Sequence, residues 1–463
     1  MPFAPVTDKD IEAFRRIAGD RNVLSGGAIP EEYTHDEMAP VRAWPEVVAR
    51  AGSTAEVTQI LEYCCGRQIP VTPRGSGTGL MGGAVPTCGG LLLDLTRMNR
   101  ILEVDRENLL ARVQPGVTLL ELAETVEAQG LFYAPDPGEK SGSIGGNVNT
   151  NAGGMRAVKY GVTRDHIRGL ELVLSSGEVL VMGGRVAKNS TGYNLMQLVI
   201  GSEGTLGVVT EITVRLLPRP PMLASLLVPF ESLDDAIETV PRFAGAGITP
   251  QAIEFLRRGV IEASERYLGR SFPDQSAPAY LLLRFDGASP EELEAQMDAA
   301  GRVCLESGAI DAFIADTDER QDALWNARGA FLEAIKGDNE IDECDIVVPR
   351  AVIAEMVNYA DEVADEVGLR IETFGHAGDG NMHINLIRDD LDEEQWKDRV
   401  ERGMALLYRK ADQLDGMVSG EHGIGHSKRA YLAEYTDPRQ MELMRQIKGI
   451  FDPAGILNPE KIL

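Results

Sequence analysis

Hydrophobic and polar positions in the first half of the chain alternate between short β-type runs and stretches of helical spacing. Strands are predicted at Ile69–Thr72, Leu91–Leu95, Leu109–Val113, Leu170–Leu174 and Val208–Leu217. Leu119–Gln129 lies between two of these runs and has the spacing of an amphipathic helix. Glycine-rich connections separate the segments. This mixture predicts an α+β or α/β domain.

The second half alternates more regularly between strand-like and helix-like segments. Strands are predicted at Met222–Val228, Ala279–Phe285, Cys344–Val348 and Leu369–Phe374, and helices at Ser232–Phe243, Asp318–Lys336 and Val352–Val367. A further helix should begin after Ser289, because Ser289-Pro290-Glu291-Glu292 combines an N-cap serine, a proline at the first helical position and a glutamate at the third. Repeated β-α-β units predict a sheet covered by helices.

A proline cluster, Pro218-Arg219-Pro220-Pro221, lies where the charge of the chain changes. The 463 residues include 45 Lys and Arg against 72 Asp and Glu, a formal net charge of −27. Residues 1–221 carry 21 basic and 25 acidic side chains, residues 222–420 carry 18 and 41, and residues 421–463 carry six of each. We therefore predict three parts with these bounds, and the middle part holds nearly all of the excess acid.

The acidic composition also excludes several classes of protein. Nucleic acids and anionic membrane surfaces require clustered Lys and Arg, which this chain lacks. No apolar run is long enough to span a bilayer, and the first residues do not have the pattern of a secretory signal. The five cysteines contain no C-x-x-C spacing, so an iron–sulfur or zinc-ribbon framework is not expected. A cytoplasmic location is the simplest expectation.

Residues 69–83, IPVTPRGSGTGLMGG, contain a literal match to the pattern G-x-G-x-x-G at Gly77–Gly82. The nicotinamide-binding interpretation of that pattern requires a helix to begin there. A helix is not expected, because more glycines, Pro86 and the run Leu91–Leu95 follow. Close-set glycines still let backbone N–H groups approach a phosphate, with Arg74 as an added cation. The alternative is a plain turn region.

Two more stretches are rich in glycine: residues 135–154, PDPGEKSGSIGGNVNTNAGG, and residues 201–207, GSEGTLG. Gly and Asn favour neither helix nor strand, so the longer stretch would make a poor core element. Together with residues 69–83 these stretches resemble the FAD-binding domain of the vanillyl-alcohol-oxidase type of flavoproteins. The C-terminal motifs described below narrow the resemblance to the FAD-linked D-lactate dehydrogenase and glycolate oxidase branch. It covers essentially the whole chain.

The resemblance implies an α+β fold with a two-part FAD-binding domain. Residues 1–221 would be that domain, residues 222–420 an α/β cap domain that binds substrate, and residues 421–463 a segment that returns to pack on the FAD domain. The implied cofactor-binding residues are Pro73, Arg74, Gly75, Ser76, Gly77, Thr78, Gly79 and Gly82, then Pro137, Gly138, Ser141, Ser143, Gly145, Gly146, Asn147, Asn151 and Gly154, then Gly204 and Val209. Thr78 stands where some relatives attach FAD through a histidine, so non-covalent FAD is expected.

Four of the six histidines fall near the end of the chain, and two of them flank a predicted hairpin. Asp379-Gly380 is a strong signal for a two-residue turn. That turn would place His376 opposite His383, with Cβ atoms about 5 Å apart on one face, a spacing that suits two imidazoles on one metal ion. Glu421, in the stretch GEHGIG, offers the carboxylate that open catalytic sites use as a third ligand. The alternative is a solvent-facing pair of histidines.

In the family resemblance, His376, His383 and Glu421 match the ligands of a divalent metal, Zn, Fe or Mn, and His422 matches the base beside the flavin. Arg328 matches an arginine that binds the substrate carboxylate; the alternative is a surface arginine on an amphipathic helix. Three other histidines are assigned structural roles: His35, His166 and His426.

The predicted reaction is oxidation of a D-2-hydroxy acid, with D-lactate to pyruvate as the first choice. Relatives that oxidise 2-hydroxyglutarate often carry a lysine where this chain has Glu343 and Cys344, which favours a small monocarboxylate. The resemblance favours an electron-transfer flavoprotein as acceptor, with an iron–sulfur subunit or a quinone as alternatives. Three other functions stay open: a dehydrogenase for glycolate or another 2-hydroxy acid, a scaffold subunit with structural FAD, and a nicotinamide enzyme.

Overall fold

A computed structural model describes residues 3–37, 41–337 and 339–463. The chain divides into two compact units. The first unit comprises Met1–Ala152, Val162–Arg219 and His422–Leu463, and the second comprises Gly153–Gly161 and Pro220–Glu421. Among the described residues, no helix combines the length and the apolar composition needed to cross a bilayer.

The described residues form the following helices and strands. The helices are α1 Asp8–Ala18, α2 Thr54–Arg67, α3 Leu119–Glu127, α4 Ile144–Thr150, α5 Ala157–Tyr160, α6 Thr163–His166, α7 Leu195–Val199, α8 Leu233–Gly245, α9 Arg258–Leu268, α10 Pro290–Glu306, α11 Asp318–Gly329, α12 Phe331–Lys336, α13 Ile353–Val367, α14 Glu393–Gln413, α15 Arg429–Tyr435 and α16 Pro438–Phe451. The strands are β1 Val23–Ser25, β2 Val47–Arg50, β3 Val71–Arg74, β4 Leu91–Asp94, β5 Ile101–Asp105, β6 Leu110–Val113, β7 Leu131–Phe132, β8 Ile167–Val173, β9 Val179–Gly183, β10 Val208–Arg215, β11 Leu217–Pro218, β12 Met222–Phe230, β13 Ala252–Arg257, β14 Ala279–Gly287, β15 Phe313–Ala315, β16 Ile341–Val347, β17 Arg370–His376 and β18 Asn381–Ile387.

The first unit contains a four-stranded sheet, β1-β2-β4-β3, a five-stranded sheet, β5-β6-β10-β8-β9, and the short pair β11-β7. In the four-stranded sheet β4 pairs in parallel with both β2 and β3, whereas the five-stranded sheet is antiparallel. Each large sheet has its own buried apolar cluster. Residues 75–90 form no helix, which excludes the nicotinamide-binding interpretation of the first glycine stretch.

The C-terminal segment of the first unit closes one of these clusters. Ile456 and Leu457 are fully buried in the cluster of the four-stranded sheet. Val71 of β3 donates its N–H to Ile456 O at 2.8 Å, and Asn458 N donates to Val71 O at 2.7 Å. The end of the chain therefore continues the hydrogen bonding of β3.

The second unit is built on one seven-stranded sheet with the order β15-β12-β14-β13-β17-β18-β16, in which every pair is antiparallel. The predicted cap beside Ser289 is confirmed: its side chain accepts from Glu292 N, and α10 begins at Pro290. The predicted single helix Asp318–Lys336 is wrong in one respect, because it is interrupted at Ala330 and forms α11 and α12. Gly153–Gly161, which includes α5, belongs to this unit although it lies far from it in the sequence.

Candidate active site

The three glycine-rich stretches meet within the first unit. A side chain at Gly75 would collide with Ser143 Oγ, and Ser76 Oγ donates to Ser141 O at 2.8 Å. Gly204 N donates to Asn149 Oδ1 at 2.9 Å, and a Cβ at Gly204 would lie 3.1 Å from Pro73 Cγ. Glu203 N also donates to Asn149 O at 2.8 Å. Stretches far apart in sequence therefore come close enough for backbone to contact backbone or a small side chain, which leaves no room for larger side chains.

Arg74 is buried inside this arrangement and supports the loop that it precedes. Its guanidinium donates to Glu32 O and His35 O, both at 2.8 Å. Gly77 has φ +79, and a Cβ there would overlap the same guanidinium. Burial lowers the pKa of Arg74, although nearby carboxylates oppose that shift. The hydrogen bonds that the structure gives Arg74 thus go to backbone carbonyls.

The predicted cofactor-binding residues of the second stretch, and Val209 after the third, have different surroundings. Ser143 caps α4 and accepts from Gly146 N at 3.2 Å, and Asn151 ends that helix with φ +53. Asn147 is buried, and its Nδ2 finds no hydrogen-bond partner among the described residues. A buried donor of this kind between glycines fits a ligand that accepts hydrogen bonds, as FAD does. Gly154 belongs to the second unit, and Val209 packs in the core of the five-stranded sheet.

The histidine hairpin has a different register from the predicted one. His376 pairs with Asn381, and His383 pairs with Phe374. The turn contains four residues, because His376 O accepts from both Asp379 N and Gly380 N, at 3.3 and 3.0 Å, and only Gly380 of those two has a positive φ. The predicted direct opposition is therefore wrong. The displacement is two residues, so both imidazoles remain on the same face of the sheet.

On that face the three predicted ligands converge. His376 Nε2 lies 3.4 Å from His383 Nε2, and the two rings are nearly perpendicular at 86°. Glu421 Oε1 lies 3.5 Å from His376 Nε2 and 3.4 Å from His383 Nε2. All three ligand atoms fall within 4.8 Å of one another. Two imidazole nitrogens and one carboxylate oxygen in this arrangement fit a divalent transition metal with room for further ligands.

Each histidine is oriented by a buried carboxylate on a neighbouring strand. Glu254 Oε1 on β13 lies 2.7 Å from His376 Nδ1, and Glu343 Oε1 on β16 lies 2.8 Å from His383 Nδ1. Such partners direct Nε2 of each ring towards a metal. Burial alone would lower the pKa of His376, but the charges of Glu254 and Glu421 outweigh it and hold this pKa well above its ordinary value.

Arg328 lies in the same network, on α11, and is itself buried. Its Nε donates to Glu254 Oε2 at 2.7 Å, and its Nη2 lies 2.5 Å from the same oxygen. The guanidinium also lies over the ring of Phe374, 4.7 Å from its centroid. Arg328 is therefore not a surface arginine: it neutralises the carboxylate that orients His376.

The remaining histidines are placed as follows. His422 is the first residue of the returning segment of the first unit and directly follows Glu421. His166 is buried and packs edge-on against Tyr133. The Nδ1 of His426 lies 3.1 Å from Glu460 O, and that of His35 lies 2.8 Å from Asp36 O. His166, His426 and His35 do not belong to the group of predicted ligands in the second unit.

Sequence reasoning missed the carboxylates that surround the ligands, Glu254, Glu343 and Asp345. A signal was present for Glu254, which is the single acid of the apolar run QAIEFL, and a weaker one for Glu343 and Asp345, which are buried members of the mixed run DECDIVV. A buried carboxylate is stable only when it is paired, so such a position indicates a cation or a histidine nearby. Which partner it has depends on strand order, which these segments do not contain.

Comparisons with known proteins agree with this architecture. A family model described as an FAD binding domain matches residues 45–183, and one described as the C-terminal domain of FAD linked oxidases matches residues 219–462. The D-lactate dehydrogenase of Anaerostipes hadrus is 49% identical, over 99% of this chain and 98% of the relative. The glycolate oxidase subunit GlcD of Bacillus subtilis is 40% identical, over 98% of this chain and 97% of the relative.

Solved structures share the fold at much lower identity. p-Cresol methylhydroxylase superposes with a TM-score of 0.80 at 20% identity, over 99% of this chain and 97% of that chain. The 4-ethylphenol oxidase of Gulosibacter chungangensis superposes with a TM-score of 0.77 at 20% identity, over 100% and 98%. These matches confirm the predicted fold class. At 20% identity they carry no conclusion about the activity of this chain.

Proposed function

The chain belongs to the FAD-linked oxidase family, and we propose that it is an FAD- and metal-dependent dehydrogenase that oxidises a small D-2-hydroxy acid. One observation carries the proposal: His376, His383 and Glu421 present three ligand atoms within 4.8 Å, and both histidines are oriented by buried carboxylates. D-lactate is the first substrate to test, because relatives at 49% and 39% identity are named D-lactate dehydrogenase.

FAD and the divalent ion would have separate roles. When bound, FAD supplies the acceptor for the hydride that leaves the substrate, and a divalent ion supplies a Lewis acid for its hydroxyl oxygen. His376, His383 and Glu421 would hold the ion, and the glycine stretches of the first unit would hold FAD. Thr78 supports non-covalent FAD, which acid precipitation of the protein would release into the supernatant.

His422 is proposed to take the hydroxyl proton on a ring nitrogen. Histidine is the side chain that most often acts as a general acid or base in catalysis. Because it directly follows Glu421 in the chain, the proposed base would lie one residue from a proposed ligand of the ion. Arg328 was expected to bind the substrate carboxylate. Because its Nε and Nη2 already bind Glu254, we propose that the main role of Arg328 is to hold Glu254 against His376.

The acceptor of the electrons is proposed to be a separate protein, an electron-transfer flavoprotein. The family resemblance favours this acceptor, and the sequence contains no C-x-x-C from which an internal cluster could be built. The excess of acidic side chains in residues 222–420 would attract a basic surface of the partner protein. Reduction of the acceptor should then slow as ionic strength rises; rates that do not change with salt would contradict this.

The test is an anaerobic titration of the purified protein, followed by the flavin absorption band. D-lactate should bleach the band, L-lactate should not, and glycolate measures the nearest alternative. Exhaustive chelation should prevent bleaching, and Zn, Fe or Mn added singly should restore it and identify the metal. Full bleaching after complete metal removal would refute the metal role. A flavin that no 2-hydroxy acid bleaches, with metal present, would refute the dehydrogenase in favour of a scaffold subunit.

A further inference from the structure

The hexapeptide Gly420–Gly425 carries both a proposed metal ligand, Glu421, and the proposed base, His422. The chain passes from the second unit to the first between these two residues. Gly420 and Glu421 belong to the second unit, and the other four residues, from His422 to Gly425, belong to the first. In each unit a buried carboxylate from a distant part of the sequence accepts its backbone N–H groups.

In the second unit that carboxylate is Asp345 of β16, which is fully buried. Its Oδ2 accepts from Ser419 Oγ at 2.8 Å, from Gly420 N at 3.1 Å and from Glu421 N at 3.2 Å. Its Oδ1 accepts from Asn381 Nδ2 at 2.7 Å. Asp345 also pairs directly with His383 across the sheet. One side chain thus connects the backbone of one proposed ligand to the strand that carries another.

In the first unit the carboxylate is Glu203, which lies in the third glycine stretch and is also buried. Its Oε1 accepts from Ile424 N and its Oε2 from Gly425 N, both at 2.7 Å. The backbone of Glu203 is itself held, since its N–H donates to Asn149 O at 2.8 Å and its carbonyl accepts from Asn458 Nδ2 at 2.7 Å.

The glycines of the peptide allow this close approach. Gly423 has φ +82, and a Cβ there would lie 2.8 Å from Glu203 Oε1. Gly425 has φ +52, and a Cβ there would overlap Met81 O. Any other residue at these positions would force the backbone away from the carboxylate.

We propose that Asp345 and Glu203 are positioning residues that hold Gly420–Gly425 from its two ends. Asp345 places Glu421 as a metal ligand, and Glu203 places His422 as the base. The roles of Glu421 as a ligand and His422 as the base rest on the proposed function, whereas the hydrogen bonds to Asp345 and Glu203 do not depend on it. Glu203 accepts one N–H group at each oxygen, and Asp345 accepts the peptide at Oδ2 and Asn381 Nδ2 at Oδ1. An amide has one oxygen and presents N–H groups at its other atom, so it cannot keep both sets of donors.

The test compares Asp345→Asn with Glu203→Gln in the full-length holoprotein. Hydrogen exchange, resolved to single amides by mass spectrometry, reports on the four N–H groups. In the wild type, all four should exchange slowly. Asp345→Asn should speed exchange at Gly420 and Glu421 only, and Glu203→Gln at Ile424 and Gly425 only. Fast exchange of these amides in the wild type would overturn the proposal.

The same variants should separate in function. Asp345→Asn should weaken Zn binding, measured by competition with a chelator, by about 10- to 100-fold with flavin content unchanged. Glu203→Gln should leave Zn affinity unchanged but lower the rate of flavin reduction at saturating D-lactate by about 100-fold, with little change in KM. Equal effects of both variants on both quantities would overturn the division of roles.

Matched controls distinguish positioning from a general loss of stability. Asp10 in the first unit accepts from Thr7, Tyr63 and Arg67, and Asp274 in the second accepts from Ser276 and Tyr280. Asp10→Asn and Asp274→Asn remove comparable carboxylates outside the peptide. Neither should change exchange in it, Zn affinity or flavin reduction; a control that did so would overturn the proposal.

Milder variants serve if a carboxylate substitution prevents folding. Gly423→Ala presses on the contact with Glu203, and Ser419→Ala removes one donor to Asp345. Gly423→Ala should speed hydrogen exchange at Ile424 and Gly425, and Ser419→Ala at Gly420 and Glu421, in both cases less than the carboxylate variant does. Unchanged exchange in both variants would refute the proposal. Exchange and Zn binding are measured without substrate. A wild type whose flavin D-lactate does not reduce would therefore refute the proposed function and leave the positioning result standing.

Discussion

The two units of this protein assemble their candidate sites from different materials. The first unit brings together three glycine-rich stretches, which are joined by backbone hydrogen bonds and by close contacts between glycines and small side chains. The second unit brings together charged side chains on four neighbouring strands of one sheet. A site built from backbone should be disturbed mainly by adding a side chain, and a site built from side chains mainly by removing one.

The units also differ in charge, and this sharpens the contrast. Residues 222–420 carry 18 basic and 41 acidic side chains, yet this region is the proposed binding place of an anionic substrate. The attraction must therefore be local. Arg328 is already paired with Glu254, so we expect the bound ion to supply positive charge to the substrate. Metal removal should consequently weaken substrate binding as well as turnover.

The largest effect is expected when a proposed ligand is removed. His383→Ala deletes one of the three converging atoms, so metal affinity should fall by more than the roughly 10- to 100-fold typical of lost outer-shell partners. Bound metal measured by atomic emission should be lost while flavin absorbance is kept. His426→Ala, in the first unit, is the control and should keep the metal. Loss of FAD together with metal in His383→Ala would break the contrast between the units.

The next largest effect is expected at the proposed base. His422→Ala should keep both FAD and metal but reduce the rate of flavin reduction by about 10²- to 10⁴-fold, the usual contribution of a general base. Stopped-flow absorbance with saturating D-lactate measures this rate. A variant with wild-type rates would remove His422 from the mechanism.

A smaller effect is expected from the network behind the ligands. Glu254→Gln removes the carboxylate that orients His376, and metal affinity should fall about 10- to 100-fold. Arg328→Gln should weaken the metal in the same way, and the double variant should be no worse than either single one, because the residues act as a unit. Chelator competition measures the affinities. An Arg328→Gln variant that raises KM for D-lactate without changing metal affinity would instead support direct binding of the substrate carboxylate.

That network also predicts a stability effect. Glu254→Gln leaves the buried guanidinium of Arg328 without its charged partner, which should destabilise the protein by about 3–5 kcal/mol. The double variant with Arg328→Met removes both charges and should recover much of this loss in thermal unfolding. No recovery would mean that the pair is not the source of the instability.

The smallest effect is expected in the first unit. Gly77→Ala places a side chain at φ +79, where its Cβ overlaps the Arg74 guanidinium. The strain of about 1–2 kcal/mol should weaken FAD about 5- to 30-fold. Flavin fluorescence on titration into deflavinated protein measures it. Metal affinity should be unchanged, and Gly130→Ala, a positive-φ glycine with open space around it, is the control for backbone strain alone.

Local patterns predicted much of the second unit. Alternating segments placed most strands and helices within a few residues, and the cap at Ser289 was read directly from four letters. The hairpin turn was predicted less well. Asp379-Gly380 favours a two-residue turn, but the buried packing of Gly380, where a Cβ would overlap Val348 O, accompanies a four-residue turn. The length of this turn therefore depends on the contact of Gly380 with Val348, which the dipeptide Asp379-Gly380 alone does not reveal.

Local sequence patterns and the family resemblance predicted the fold class, the three glycine stretches and the proposed ligands His376, His383 and Glu421, with His422 next to Glu421 in the chain. Period-2 alternation explains why the wrong register still left His376 and His383 on one face, since a shift of two residues keeps a side chain on its face. The tertiary structure alone decided which carboxylates pair with these ligands. Glu254, Glu343, Asp345 and Glu203 act across strands and segments far apart in sequence. Strand order, which no local pattern contains, brings them to their partners.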